Sequence, residues 1–242
     1  MARPRRSQST SSGRLSYKPA PDEGPISQTL DFIRTQLPAW RDDPKRPSYP
    51  SEKQANSSLC DFLDRHSRID LPMVRFKHEA PQQKSRTVDI GIHGIEEVTF
   101  VGPYGYSIYE PFMVVEAKRL PAPSKDRERE YVSGIGKATG GIQRFKCGQH
   151  GANVEIAVII GYIEDQSVDH WHATINRWIS ELVAGTISDG CTWKEAELLE
   201  KLTWNDKDRT SASISFHGRF GECLTRSIRI HHVWVVMSAG RL

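Results

Sequence analysis

The chain of 242 residues is 37% hydrophobic and 26% charged, which is ordinary for a globular protein that buries a substantial core. Its formal charge of +3 comes entirely from the first 24 residues, so the remainder is formally neutral and exerts no global attraction on nucleic acid. The longest apolar run is too short to span a bilayer, and no phosphate-binding glycine loop appears. These features argue against a membrane protein and against a nucleotide-driven motor.

The four cysteines, at positions 60, 147, 191 and 223, lie far apart and show no Cys-x-x-Cys spacing. This pattern argues against a structural zinc site and a small disulfide-stabilised fold, and we expect a cytoplasmic protein. Residues 1–24 are rich in Arg, Ser and Pro and are predicted to be a disordered basic tail, either a flexible terminus or a DNA-binding arm. Residues 25–242 are predicted to form a single domain.

Two amphipathic helices come first. Apolar residues recur at helical spacing over 26–37, between Pro25 and Pro38, and predict a helix there. Ser51 is a suitable N-cap for a second helix. The apolar stripe of this second helix consists of Ala55, Leu59, Phe62 and Leu63. Glu52 falls at the inner edge of its first turn and is expected to face the sheet, where it serves either chemistry or only the helix dipole.

Two apolar strands then place acidic groups where a core is expected. The first covers residues 88–92 and contains Asp89, and the second covers residues 112–118. Because side chains alternate along a strand, Glu116 and Lys118 share one face, and their burial requires compensation. Asp89 and Glu116 are suitable oxygen ligands for Mg²⁺ or Mn²⁺. The alternative is a surface salt bridge on a half-exposed strand. A Gly- and Pro-rich insert between the strands predicts an extra strand near residues 97–101.

An acid on one strand followed by Glu-x-Lys on the next resembles the signature of the PD-(D/E)XK nuclease superfamily, here as Asp89 and Glu116-Ala117-Lys118. The resemblance implies that Asp89, Glu116 and the backbone carbonyl of Ala117 hold the metal. It also implies that Lys118 assists the nucleophilic water. Many members add an acidic residue from the helix before the catalytic strands, and Glu52 is the candidate for this role.

A charged helix is predicted over residues 124–145. Four glycines in it would each cost about 1 kcal/mol, so either the helix breaks near Gly140 or its backbone lies very close to the sheet or a ligand. In relatives of the superfamily that this chain resembles, a glutamine on this helix faces the site. Gln143 is therefore a candidate catalytic residue, with a solvated helix flank as the alternative. Arg144 and Lys137 are candidate nucleic-acid contacts.

The rest of the chain continues the alternation of elements. Residues 154–163 predict a central strand with both faces covered. A long helix over 169–185, a short helix over 193–202 and two closing strands over 212–220 and 228–237 are predicted to follow. The closing strands carry basic residues that are interpreted either as a strip for phosphates or as an exposed strand face. These residues are His217, Arg219, His231 and His232.

The element order predicts an α/β (α+β) fold in which helices flank a central mixed β-sheet. This order matches the αβββαβ core of the restriction-endonuclease-like fold, with an N-terminal helix and a C-terminal extension. The resemblance implies a Mg²⁺-dependent nuclease, most readily a DNA endonuclease of a bacterial restriction or anti-phage defence system, acting as a homo-oligomer or with a partner subunit. A ribonuclease of the same fold and a non-catalytic nucleic-acid-binding or assembly subunit stay open. No membrane partner is expected.

Overall fold

The structure is a computed structural model that describes residues 24–48, 51–82, 86–134 and 137–237, so the predicted tail lies outside it except for Gly24. The helices are α1 (Pro25–Arg41), α2 (Glu52–Asp70), α3 (Gly141–Lys146) and α4 (Val168–Val183). The strands are β1 (Val74–Pro81), β2 (Thr87–Gly94), β3 (Val98–Val101), β4 (Tyr104–Ser107), β5 (Met113–Leu120), β6 (Ile156–Ile163), β7 (Thr203–Asn205), β8 (Thr210–Gly218) and β9 (Ser227–Val236).

Seven of these strands form one mixed sheet, in the order β1-β2-β5-β6-β9-β8-β7. The central strands β5, β6 and β9 are parallel, and the outer pairs are antiparallel. Every residue of β6 after the first is buried, as a parallel strand with both faces covered requires. The predicted α/β (α+β) architecture, a central mixed sheet flanked by helices, is confirmed.

Helices cover the two faces of the sheet separately. Tyr162 of β6 donates to Asn56 of α2 at 3.0 Å, and its ring centroid lies 5.5 Å from that of Trp40 in α1. Trp234 of β9 immediately precedes the register partner of Tyr162 and therefore points to the opposite face. There it contacts the ring of His172 in α4. The first two helices thus cover one face, and α4 covers the other.

Helix α1 differs from its prediction at the C-terminal end. The helix continues through Pro38 to Arg41 instead of ending before the proline. A proline inside a helix removes one hydrogen bond and costs about 3 kcal/mol. Trp40 is only 1% exposed, and Arg41 donates to the backbone carbonyl of Asp208 at 2.7 Å. These contacts of the last turn offset the cost of the proline.

The glycine-rich segment divides the helix predicted over residues 124–145 into two parts. A 3₁₀-helix covers Lys125–Tyr131, and α3 begins only after Gly140. A Cβ on Gly140 would lie 2.2 Å from the Cα of Ser133, so two stretches of backbone approach each other more closely than a side chain would allow. The break near Gly140, one of the two alternatives, is therefore confirmed.

Two further predictions concern smaller elements. The short helix predicted over residues 193–202 is wrong, because only a 3₁₀ turn at Glu195–Glu197 forms. The chain then runs extended along the sheet edge, where Glu200 N donates to the carbonyl of Ile214 at 2.8 Å, and it adds strand β7. The extra strand predicted between β2 and β5 is present as β3, which pairs with β4 in a separate hairpin. Among the described residues, no helix is long and apolar enough to cross a membrane.

Candidate active site

The candidate site lies where strands β2 and β5 diverge. Their antiparallel pairing extends along β5 only as far as Val115. Beyond that point, Asp89 Oδ2 accepts a hydrogen bond from Ala117 N at 2.8 Å, and Glu52 Oε2 accepts one from Arg119 N at 2.9 Å. Backbone N–H groups that leave a strand ladder must find other acceptors. Two carboxylates therefore take the place of the departing strand and are fixed by the backbone of β5.

The Glu116 and Lys118 side chains form a buried ion pair beside these two carboxylates. The two side chains are 3% and 11% exposed, which excludes a surface salt bridge on a half-exposed strand. Lys118 Nζ lies 2.9 Å from Glu116 Oε1 and 3.2 Å from Glu52 Oε1, so one ammonium is shared by two acids. The N-cap hydrogen bond from Gln54 N to Ser51 Oγ starts α2 at the residue that lets Glu52 reach the site.

Two basic residues, one in α3 and one in the turn that follows it, complete the surroundings of Glu116. Arg144 Nη1 lies 3.2 Å from Glu116 Oε1. His150 Nδ1 lies 3.2 Å from Glu116 Oε2, although not in hydrogen-bond geometry, and its side chain is 2% exposed. The amides of Gln149 and His150 both donate to the carbonyl of Arg144, which turns the chain back toward β5. Sequence reasoning missed His150, because only this turn brings it to the acid.

The structure corrects the prediction that Gln143 faces the site. Its Oε1 accepts from the amides of Gly134 and Gly140 at 2.9 and 3.3 Å, and its Nε2 donates to the carbonyl of Asp189 at 2.9 Å. These bonds tie the Gln143 side chain to Gly134, Gly140 and Asp189, so its role is structural. Lys137 is exposed and is not among the residues that line the cleft.

A cleft of about 530 Å³ opens above the buried pair. Its floor is acidic, and its rim is largely basic. Eleven residues line it: Glu52, Arg86, Thr87, Asp89, Glu116, Lys118, Arg127, Glu130, Thr139, Arg144 and His150. Ligand clefts are usually mostly apolar. A lining dominated by charged and polar groups instead suits a charged ligand such as a phosphodiester backbone.

The pKa values at the site follow from burial and mutual charge. Burial and the neighbouring Glu116 carboxylate raise the pKa of Asp89 to about 7. Burial also opposes ionisation of Glu116, but Lys118 and His150 more than offset this and hold the pKa of Glu116 well below its usual range. The pKa of Lys118 is raised despite its burial, because Glu116, Glu52 and Asp89 favour the ammonium form. Lys118 therefore acts as a fixed positive charge near neutral pH.

We call the place where β2 and β5 diverge the fork. The oxygen atoms there are of the type that binds a hard divalent cation. Mg²⁺ prefers one or two carboxylates together with waters and substrate oxygens. Asp89 and Glu116 supply the carboxylates, and the carbonyl of Ala117 faces the same gap as its N–H because both point to one side of a strand. Within the described ranges, no three His, Cys, Asp or Glu side chains are grouped as a complete ligand set. A cation here must compete with Lys118 and Arg144 for Glu116.

Both interpretations of the basic residues on the closing strands are wrong. His217 and His232 are completely buried, and Arg219 and His231 are 7% and 6% exposed. Arg219 donates to backbone carbonyls, and the two fully buried histidines share hydrogen bonds with Ser215 at 2.7 Å. These four residues are buried, so they neither form a strip for phosphates nor lie on an exposed strand face.

Comparison of the chain with protein-family models, curated proteins and solved structures gives no match. The resemblance to the PD-(D/E)XK superfamily therefore depends on the chain's own residues. These are Asp89, Glu116 and Lys118, with the order of elements around them and the position of Glu52 at the start of α2. The function has to be argued from the chemistry of this site.

Proposed function

We propose that this protein is a divalent-metal-dependent nuclease of the PD-(D/E)XK type that hydrolyses phosphodiester bonds in DNA. The observation that carries the proposal is the Glu116–Lys118 pair, which is buried and yet lies at the floor of an open, charged cleft beside Asp89. Apolar residues often replace a buried ion pair without loss of stability. Placing such a pair next to two further carboxylates therefore favours a chemical role over a packing role.

Each residue of the fork has a distinct part in this mechanism. Asp89, Glu116 and the Ala117 carbonyl would hold Mg²⁺ or Mn²⁺, which supplies a more acidic water and neutralises phosphate charge when bound. Lys118 places its fixed positive charge where negative charge develops on the reacting phosphate. Glu52 accepts from the Lys118 ammonium through Oε1 and from the backbone N–H of Arg119 in β5 through Oε2. Because the second bond fixes the carboxylate, the first orients the ammonium.

The rim of the cleft supports a polyanionic substrate. Arg86, Arg127 and Arg144 line it, and guanidinium groups are suited to paired contacts with phosphate oxygens. Because the chain beyond residue 24 is formally neutral, attraction must come from such a local surface. DNA as the substrate and a restriction or anti-phage defence setting follow from the resemblance, and a cytoplasmic location follows from the spacing of the cysteines. All three are part of this proposal.

The test is cleavage of plasmid, linear duplex, single-stranded DNA and RNA by the full chain, with Mg²⁺, with Mn²⁺ and with a chelator. We expect metal-dependent cleavage of DNA. Glu116→Gln and Lys118→Met should each lower the rate by about 10²-fold to 10³-fold, as the loss of one preorganised charge does elsewhere. Lys53→Met and Glu79→Gln provide the matched control, because they form an exposed Lys–Glu pair.

The possible results separate the functions. Cleavage of RNA alone would replace DNA by RNA as the substrate. Nucleic-acid binding without cleavage under every metal would favour a non-catalytic binding or assembly subunit. Equal rates for wild type and for both variants of the buried pair would refute the catalytic role of this site.

A further inference from the structure

Two cysteines that are distant in sequence meet beside α3. Cys147 follows the last residue of α3, and Cys191 lies in the segment after α4. Their Sγ atoms are 3.3 Å apart, both are free thiols, and both are partly exposed. This pair is separate from the residues of the candidate site. Its thiols are close enough to react with each other and exposed enough to meet a small oxidant.

The surrounding hydrogen bonds hold the two cysteines in this position. Asp189 Oδ1 accepts from Cys191 N at 2.9 Å and from the indole of Trp193 at 3.0 Å. On the other side, Cys147 N donates to the carbonyl of Gln143 at 2.9 Å. The Gln143 side chain joins the two halves by donating to the Asp189 carbonyl. The Gln143 side chain, which also accepts from Gly134 and Gly140, therefore helps to position the two sulfur atoms.

The electrostatic surroundings distinguish the two thiols. The hydrogen bond with Cys191, together with the nearby charges of Lys146 and Arg86, lowers the pKa of Cys147 to about 7. The same contact, burial and the Asp189 carboxylate raise the pKa of Cys191. Since the thiolate is the nucleophilic form, Cys147 is the more reactive partner near neutral pH.

We propose that Cys147 and Cys191 form a redox site that hydrogen peroxide converts to an intramolecular disulfide. The Cys147 thiolate attacks one peroxide oxygen, the O–O bond breaks, and the released hydroxide takes a proton and leaves as water. Cys191 then attacks the resulting sulfenic sulfur, the S–O bond breaks, and a second water leaves. The two sulfurs together lose two electrons to the peroxide, and the two thiol protons end in the two waters.

Disulfide formation requires only a small movement of the two sulfur atoms. A disulfide has its sulfur atoms about 2.05 Å apart, so the pair must close by roughly 1 Å from its present contact. The bond would tie the end of α3 to the segment after α4 and restrict the turn that carries His150 toward Glu116. The disulfide and its two cysteines are measured directly, without an assay of nuclease activity.

The experiment treats the reduced full-length protein with a small excess of hydrogen peroxide, blocks the remaining thiols and maps the peptides by mass spectrometry. We expect a mass loss of about 2 Da, two of the four thiols consumed, and one peptide pair joined through Cys147 and Cys191. Dithiothreitol should restore both thiols. The oxidised protein should also melt several degrees above the reduced one, because the bond restricts the unfolded chain.

Single substitutions provide the controls. Cys191→Ser should stop oxidation at a sulfenic acid on Cys147 and should remove the difference in melting temperature. Cys223→Ser should leave the disulfide unchanged, although this third cysteine lies close to Gly148 and is also partly exposed. A link from Cys147 to Cys223 would overturn the proposal. Survival of both thiols in wild-type protein, at peroxide levels that oxidise free cysteine, would also overturn it.

Discussion

Among the residues that the structure describes, two Lys–Glu pairs are buried, and they differ in what surrounds them. Lys118 and Glu116 lie at the floor of an open cleft, where Glu52 and Asp89 add further negative charge. Lys146 lies in the closed interior, 2.7 and 2.6 Å from the two oxygens of Glu197. At the first pair, the three carboxylates of Glu52, Asp89 and Glu116 outnumber the two cations Lys118 and Arg144. The second pair is balanced.

The closed pair belongs to a longer polar chain that crosses between β8 and β9. Glu197 also accepts from Gly218 N at 2.9 Å. Although burial opposes its ionisation, contacts with His217, Lys146 and Gly218 lower the pKa of Glu197 to about 2. The chain continues through Ser215, His232, Tyr131 and Trp234. Burial of charge alone therefore does not mark a functional site. An excess of one sign that faces a cleft is the informative feature.

The largest expected effect is on the closed pair. Glu197→Leu should lower the free energy of unfolding by about 3–5 kcal/mol, because it leaves the Lys146 ammonium buried without its partner. Lys146→Met combined with Glu197→Leu should recover part of this loss, because the ammonium is removed while Gly218 N stays without its acceptor. Urea denaturation measures both. At the open pair, Glu116→Gln should cost less, since Lys118 keeps Glu52. A larger loss of stability for Glu116→Gln than for Glu197→Leu would contradict the proposed difference between the two pairs.

A divalent cation should act on the open site alone. If Mg²⁺ or Mn²⁺ binds only the native state, a hundredfold excess over its dissociation constant raises the free energy of unfolding by about 2.7 kcal/mol. Asp89→Asn should remove this gain, whereas the double variant at Lys146 and Glu197 should retain it. Thermal melting across a metal series tests the expectation. An unchanged wild-type melting temperature well above millimolar metal would count against the site.

The last expected effect is a gradual pH dependence of stability in metal-free protein. The pKa of Asp89 is about 7 in the folded chain against a usual value of 3.8, so the folded state binds this proton more tightly. Its contribution to stability therefore falls as the pH rises from about 4 to about 7, by at most about 1.4 kcal/mol per pH unit. Asp89→Asn should remove this slope in a chelator-containing buffer. Parallel pH profiles of stability for the two proteins would show that folding does not raise the pKa of Asp89.

Sequence reasoning succeeded where the deciding information is local. The cap at Ser51, the strand alternation that puts Glu116 and Lys118 on one face, and the placement of Glu52 all depend on residues a few positions apart. The prediction for Gln143 is wrong because it rests on the superfamily resemblance, whereas in this chain the side chain bonds to Gly134, Gly140 and Asp189 instead of facing the site. The position of His150 depends on the turn after α3, and the periodicity of the sequence does not predict that turn.

The closing strands show the other kind of failure. Alternating polar and apolar residues on β8 and β9 are typical of a strand with one exposed face. Here the polar face is covered, and the hydroxyl of Ser215 lies between His217 and His232. Whether a polar strand face meets water or a second polar layer depends on where distant helices pack. The pattern of one strand does not contain that information.

The fork of β2 and β5 separates two kinds of constraint on the acidic residues. Asp89 and Glu52 receive N–H groups of β5 that have no strand beside them, so apolar replacements would leave main-chain donors without acceptors. Glu116 and Lys118 make their charged contacts with other side chains, so apolar replacement of both leaves no main-chain donor of β5 without an acceptor. If the proposed nuclease activity is correct, a related chain that had lost it would thus still keep acids at positions 52 and 89. Positions 116 and 118 are the ones that would distinguish an active lineage from a silent one.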